Sequence, residues 1–172
     1  DILEVVVYDA FSVADTVSSK DGGSFVGNVN FGGDLSSNTA GTSNFRAGVN
    51  AGNSIASGGN YNTVVGDEAG TAITTGDYNT AVGKSAGAAV TTGVQNTFIG
   101  GLAGDAITTG ASNVAVGYLS LSDNTTGSDN TAIGELSMEN NTTGIRNTAV
   151  GSSALFTKTT GNDNTAIGTN AL

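Results

Sequence analysis

The chain contains no cysteine, proline, histidine or tryptophan. Without cysteine it has neither a disulfide framework nor a thiolate metal site, although secreted proteins also lack cysteine at times, so the redox compartment stays open. Without histidine it lacks the commonest general base and the commonest transition-metal ligand. The absence of proline excludes a collagen triple helix, even though 27 of the 172 residues are glycine.

Basic residues and long apolar runs are also scarce. Five Lys and Arg residues face 15 Asp and Glu residues, giving a net charge of −10, which disfavours nucleic acid and anionic membrane surfaces as partners. No apolar run reaches the 18 or so residues of a membrane span. The sequence starts at Asp1 without an initiator Met or a signal peptide, so we expect a processed chain or one part of a longer protein.

What the sequence does contain is a repeat of 17 residues from Asn62 onward. Each repeat starts with an asparagine, carries a glycine four residues later, and in every full copy contains the triplet Thr-Thr-Gly. The asparagines are Asn62, Asn79, Asn96, Asn113, Asn130, Asn147 and Asn164. A short fixed period indicates stacked identical units, as in a solenoid or a fibre. It also argues against an enzyme, because an active site needs a unique set of residues.

One repeat, numbered from its asparagine as position 0, reads N-T-A-[VI]-G-x-x-[AS]-[GLM]-x-x-x-T-T-G-x-x. The glycines at positions 4 and 14 predict two corners with positive φ. Between the corners lie two segments of strand length, at positions 0–3 and 7–13. No period of 3.6 is present, so no helix is expected. The sequence predicts an all-β, parallel β-solenoid (β-roll) of 17-residue coils, each adding about 4.8 Å along the axis.

The type of residue at each position predicts the faces of the coil. Position 3 is always Val or Ile and predicts the core column. Position 2 is mostly Ala; together with the glycines of position 4 it predicts a flat outer face that packs against other chains in a parallel homotrimer. Position 8 is Gly where position 11 is Ile or Val, and Leu or Met where position 11 is polar, which predicts a fixed interior volume. Charges fall at corner and loop positions.

The asparagine and threonine columns each allow two interpretations. Stacked asparagines favour a hydrogen-bonded ladder along the axis, and binding of a glycan or an ion by the amides is the alternative. The threonines of positions 1, 12 and 13 favour β-structure and hydroxyl capping, and a regular threonine array for binding ice is the alternative. Positions 12 and 13 face opposite sides, so only one of the two columns belongs to a flat array.

Two regions of the chain are predicted. Residues 44–172 form the repeat solenoid, with a degenerate first coil over 44–61, in which Asn44 and Gly48 take positions 0 and 4, and regular coils over 62–172. Residues 1–43 are predicted to be a β connector or cap with strands over 2–8, 11–17 and 24–35. The sequence ends halfway round a coil, so we expect continuation or a capping partner.

No sequence motif of a known catalytic or metal site occurs in the chain. The nearest approach to a catalytic pair is Asp67-Glu68, and adjacent residues at a corner point apart. We therefore predict no catalytic residue, no cofactor and no metal ligand. A polysaccharide-degrading tail spike remains the third functional hypothesis, because glycosidases use paired carboxylates.

The repeats resemble those of virion fibres, especially the tail fibres of marine and cyanobacterial phages. The resemblance rests on N-T-A-[IV]-G-x-x-[AS]-L alternating with T-T-G; it covers 62–172 and is strongest over 113–155. Residues 8–35, YDAFSVADTVSSKDGGSFVGNVNFGGDL, also resemble a segment of tail-fibre-like proteins. The repeats are similar, too, to the NSVAIG-type repeats of trimeric autotransporter adhesin heads. The resemblance implies a homotrimer of left-handed parallel β-rolls that acts as a stiff spacer or an adhesive surface.

From these observations we expect a non-enzymatic structural fibre, part of a virion appendage that spaces or presents a receptor-binding surface. The alternative is a bacterial surface adhesin or a secreted matrix filament. The expected partner is the chain itself, as a homotrimer or a head-to-tail filament, together with a cell-surface glycan or receptor. The expected location is the virion or the cell exterior.

Overall fold

The computed structural model describes residues 41–157 and 160–172, so the predicted strands over 2–8, 11–17 and 24–35 lie outside the described residues. The described part forms one parallel sheet of eight three-residue strands, in which each strand pairs with the next in sequence. The strands are β1 (Phe45–Ala47), β2 (Thr63–Val65), β3 (Thr80–Val82), β4 (Thr97–Ile99), β5 (Val114–Val116), β6 (Thr131–Ile133), β7 (Thr148–Val150) and β8 (Thr165–Ile167).

The strand register follows the sequence repeat without a slip. Thr63 pairs with Thr80 and Thr80 with Thr97, which is an offset of 17 residues. Phe45 pairs with Thr63, an offset of 18, so Asn44 and Gly48 occupy positions 0 and 4 of a longer first coil. No helix occurs among the described residues. The predicted all-β parallel solenoid is confirmed.

The second predicted strand, at positions 7–13, is wrong: this segment consists of turns and bends among the described residues. Its backbone still bonds from coil to coil, as when Gly87 N donates to Ala103 O (2.9 Å). The physical reason is the left-handed conformation at positions 6 and 8, which extended backbone excludes: Ser85 has φ 55° and Gly87 φ 58°.

The predicted orientation of the strand residues is also wrong. The core column is position 2, where Val64, Phe98 and Ala132 are fully buried, whereas Ile133 at position 3 is 40% exposed. The buried asparagine of position 0 fixes this choice, because residues two apart on a strand share a face. With position 0 inside, position 2 must point inward, and positions 1 and 3 must point outward.

The predicted compensation between positions 8 and 11 is confirmed. In the coil that begins at Asn96, a methyl group added to Gly104 would lie 2.4 Å from the Phe98 ring, so Phe98 and Ile107 already fill the interior. In the next coil Ala115 takes the place of Phe98, and Leu121 at position 8 is fully buried in its stead. The Phe98 ring also fills space in the preceding coil, since a methyl group added to Gly87 would lie 2.6 Å from it. The interior therefore leaves no room for a second large group beside an existing one.

The two glycine columns have different roles. At position 4 the glycines have φ between 124° and 135°, as the predicted corner requires. At position 14 no positive φ occurs, which corrects the prediction for that corner. There glycine is needed for close stacking, because a methyl group on Gly93 would lie 2.5 Å from the Gly110 carbonyl oxygen of the next coil.

The predicted asparagine ladder is confirmed. It also explains how each coil closes and why the residue at position 14 of the repeat is glycine. Asn113 Nδ2 donates to Gly127 O of its own coil (2.9 Å) and to Asn96 Oδ1 of the previous coil (3.2 Å). Asn113 Oδ1 accepts hydrogen bonds from Asn130 N (3.1 Å) and Asn130 Nδ2 (3.2 Å). Each amide thus closes one coil and joins it to both neighbours.

We predict that Asn113→Ala is strongly destabilising, because it leaves the backbone amide of Asn130 without its acceptor and removes one of the two donors to the buried carbonyl of Gly127, the other being Asn124 Nδ2. Each such loss costs about 1–3 kcal/mol. Denaturant unfolding measures the free energy of unfolding, with Asn53→Ala at an exposed loop position as the control. Similar stabilities for the two variants would contradict the ladder.

The reversed faces give a second prediction. Ala132→Asp buries an unpaired carboxylate and should lower the free energy of unfolding by at least about 3 kcal/mol. Ile133→Asp places the same group outside and should cost the single chain no more than about 1 kcal/mol. Thermal melts at concentrations where the chain is monomeric compare the two, and a larger loss for Ile133→Asp would restore the orientation predicted from the sequence.

Candidate functional site

The outward side of the sheet forms a regular surface along the solenoid. We call it the outer strip and define it as the side chains at positions 1 and 3 of strands β2 to β8. Each strand presents one pair, with Thr, or Val in β5, at position 1 and Val or Ile at position 3. The pairs are Thr63 and Val65, Thr80 and Val82, Thr97 and Ile99, Val114 and Val116, Thr131 and Ile133, Thr148 and Val150, and Thr165 and Ile167.

The two columns of the outer strip are chemically simple. The position 3 column is apolar and accessible, since Ile99 is 43% and Ile133 40% exposed. No charged side chain lies in either column. The hydroxyls of the position 1 threonines make no hydrogen bond within the described part of the chain, so they are available to water or to a partner. A regular, uncharged ladder with one apolar column is a surface suited to packing against another regular surface.

The other threonine columns behave differently from each other. At position 12 the hydroxyl bonds along the stack, as when Thr91 Oγ1 donates to Thr108 O (3.1 Å). At position 13 the side chains are exposed, for example Thr92 and Thr109. Position 12 therefore has a structural role. The prediction that positions 12 and 13 face opposite sides of a strand does not apply, because no strand forms over positions 7–13.

Within the regular coils, charged residues lie at corner and loop positions, as the sequence predicts. Asp67 and Glu68 are both exposed, and Glu68 Oε2 accepts a hydrogen bond from Ser85 Oγ (3.3 Å). Within residues 41–157 and 160–172 there is no cleft, no group of three potential metal ligands, and no helix long and apolar enough to cross a membrane. Among the described residues, the structure therefore brings no cleft and no metal-ligand cluster to the Asp67-Glu68 pair.

Two sets of carboxylates have shifted pKa values. Arg146 Nε donates to Asp163 Oδ1 (2.7 Å) at an exposed corner, and this bond lowers the pKa of Asp163. The pKa of Asp105 is raised above 3.8, mainly because burial desolvates it and further because Asp123 lies near, although a backbone hydrogen bond opposes the shift. Asp105 Oδ1 is buried and accepts no hydrogen bond.

One aromatic contact escaped the sequence analysis. The rings of Tyr61 and Tyr78 stack with centroids 4.9 Å apart and planes 13° from parallel. Both rings are at position 16 of consecutive coils, and each is at least half exposed. The signal was present in the sequence, because identical residues at one position of adjacent coils must lie on top of each other.

Comparison of the chain with protein-family models, curated proteins and solved structures yields no match. The functional interpretation therefore depends on the geometry of the outer strip and the corners.

The partly desolvated carboxylate of Asp105 gives a pH-dependent prediction. Its pKa is higher in the folded chain than its ordinary value of 3.8, so the charged form is penalised by folding, and the loss of stability grows as the pH rises through the folded pKa. Asp105→Asn should raise the melting temperature near neutral pH and make no difference well below 3.8, where both states are protonated. Asp67→Asn at an exposed corner is the control, and an equal gain for both variants would argue against desolvation as the cause.

Proposed function

We propose that this chain is a non-enzymatic structural fibre, part of a virion appendage that spaces or presents a receptor-binding surface. The observation that supports it is the unbroken stack of in-register coils, held by the buried asparagine ladder. Seven regular coils form a rod section about 30 Å long. In such a stack each coil contacts only its neighbours, so length is gained by adding coils.

Repetition also supports the absence of catalysis. The described interior consists of the same few residue types in every coil, and catalysis needs groups driven to different pKa values at one place. Variation is concentrated in the corner residues, such as Tyr78, Gln95 and Ser112 at position 16. In the proposed fibre, the core residues determine the geometry of the rod, and the variable corner residues determine which glycan or receptor it binds.

The proposed assembly is a parallel homotrimer that packs through the outer strip. The alanines of position 2 point inward and do not form the contact. The outer strip replaces them, because its Val and Ile side chains are apolar and exposed. Copies with a net charge of −10 repel one another, so association has to come from burial of apolar surface in an uncharged region.

The size of the outer strip favours a ring over a simple dimer. A strip about 30 Å long and about 10 Å wide has an area of about 300 Å², whereas a stable pair buries about 800 Å² per partner. In a closed ring of three, every subunit makes two contacts, so corner surface on either side of the strip is buried as well and adds to the area of the strip. A head-to-tail filament, in which open sheet edges pair, is the alternative.

We predict that Ile99→Asp combined with Ile133→Asp abolishes self-association and leaves the chain folded. Sedimentation velocity measures the mass, and circular dichroism the fold. Glu68→Ala combined with Glu135→Ala at the corners is the control and should leave association unchanged or stronger. For the unmodified chain, added salt should strengthen association, because it screens the repulsion between acidic copies. A native chain that stays monomeric at all salt concentrations would exclude the trimer, and mass that grows without limit with concentration would indicate a filament.

The location of the chain separates the virion hypothesis from its alternatives. Antibodies against the chain, used with gold labelling in electron microscopy, should mark an appendage of a virus particle. Labelling of a cell surface or of extracellular material would instead identify an adhesin or a matrix filament. Release of reducing ends from a polysaccharide, lost on changing one carboxylate, would establish the tail-spike hydrolase and exclude a purely structural role.

A further inference from the structure

Non-glycine residues with positive φ occur at positions 6, 8 and 16 of the coils, and at position 6 the choice of residue is unusual. All eight residues at position 6 have φ between 54° and 59°, the left-handed region. They are Asn50, Glu68, Ser85, Leu102, Leu119, Leu136, Ser153 and Asn170. Asparagine is common in this conformation, whereas a bulky residue with positive φ is an outlier.

The three leucines are therefore not explained by the turn that they occupy. Asn50 and Asn170 form the same turn at the two ends of the described stack, with φ 57° and 56°. Leucine has no side-chain oxygen or nitrogen to bond the local backbone, and it replaces asparagine in three consecutive central coils. Leu121, Met138 and Leu155 at position 8 have the same conformation and are buried, so core packing explains them. The leucines at position 6 are partly exposed, so core packing does not explain them in the same way and a function does.

The leucines follow the apolar column of the outer strip by three residues in the same coils. Position 6 follows position 3 around a single glycine corner, and Leu102, Leu119 and Leu136 are partly exposed. Ile99 and Ile133 of the same coils are exposed, and so is Tyr118 at position 5. The central three coils therefore carry a wider apolar surface than the coils on either side, where position 6 is Ser or Glu.

This widening breaks the uniformity of the outer strip. Because every coil presents nearly the same pair of residues, two strips packed side by side could slide by one coil and lose little contact. The leucines are the feature that distinguishes the central coils from the rest. A partner that covers all three leucines is held in one axial position, since any slide exposes at least one of them.

We propose that Leu102, Leu119 and Leu136 set the axial register between copies of this chain that pack in parallel through the outer strip. The inference rests on the proposed fibre assembly and names the residues that align its subunits. The leucines are fixed one coil apart by bonds such as Leu119 N to Gly101 O (3.1 Å) and Leu136 N to Tyr118 O (3.0 Å). A second copy has the same spacing, about 4.8 Å, and so meets all three at once.

The first test changes the three leucines to the asparagine that the chain itself uses at this turn. We expect L102N, L119N and L136N together to weaken self-association of the full chain by at least about tenfold in sedimentation equilibrium. The melting temperature of the dissociated chain should stay the same or rise, because asparagine suits the conformation. Ser153→Asn, in a flanking coil, is the matched control and should change neither quantity. A lower melting temperature of the dissociated triple variant would overturn the proposal, since the leucines would then serve packing within their own chain.

The second test measures the register directly, using the absence of cysteine in the chain. Chains carrying T97C and chains carrying T131C, two coils apart, are mixed and treated with a bis-maleimide shorter than about 10 Å, the length of two coils. Bridges between chains of the same kind should dominate, and bridges between T97C and T131C chains should appear when the three leucines are changed. Mass spectrometry identifies both products.

The outcomes separate this proposal from the proposed function. An unmodified chain that remains monomeric overturns both. Self-association with mainly mixed bridges, with no bridges, or with the same pattern after the leucine changes overturns the register proposal and leaves the fibre intact. If the leucine surface of a monomeric chain bound a different protein, the partner would not be a second copy of this chain, and the register proposal would be overturned.

Discussion

The buried asparagine at the start of each coil is the interaction on which the rest of the solenoid depends. A three-residue strand offers too few backbone hydrogen bonds to define a coil alone, and the remaining residues run through turns. One amide side chain supplies what is missing, because it has two donors and two acceptor lone pairs. It bonds the carbonyl of the glycine at position 14 of its own coil and the asparagines of both adjacent coils. Asn113, for example, bonds Gly127 of its own coil and Asn96 and Asn130 of its neighbours.

Several other features follow from the ladder. The amide is buried, so every coil must bring the carbonyl at its position 14 within hydrogen-bond distance of it. The stacked backbones at position 14 then lie too close together for a Cβ atom, which is why the residue is glycine. The asparagine also fixes which strand residues point inward. Little room remains inside, which explains why a coil with Phe98 needs glycine at position 8 and a coil with Ala115 accepts Leu121 there.

The same constraint leaves the outer surface free to vary, in two distinct ways. The strand side is regular, because positions 1 and 3 alternate with inward-pointing residues in every coil. It forms an uncharged ladder of threonine and β-branched apolar residues. The residue types at the corners are not constrained in this way. They include charged residues, the stacked tyrosines and the leucines of the central coils. A regular side suits lateral packing of a rod, and irregular corners suit recognition, which is the division of roles in the proposed fibre.

The sequence by itself determined the period, the parallel all-β stack, the asparagine ladder and the exchange of volume between positions 8 and 11. These properties are visible in one dimension, because residues 17 apart must meet in a stack of identical coils. Only the tertiary structure decided which strand face is the core. Apolarity favoured Val and Ile, whereas the narrow coil buries Asn113 and Ala115 and turns Val116 outward. The positive φ at position 6 and the buried, unpaired Oδ1 atom of Asp105 could not be predicted from the sequence, because both depend on how one coil packs on the next.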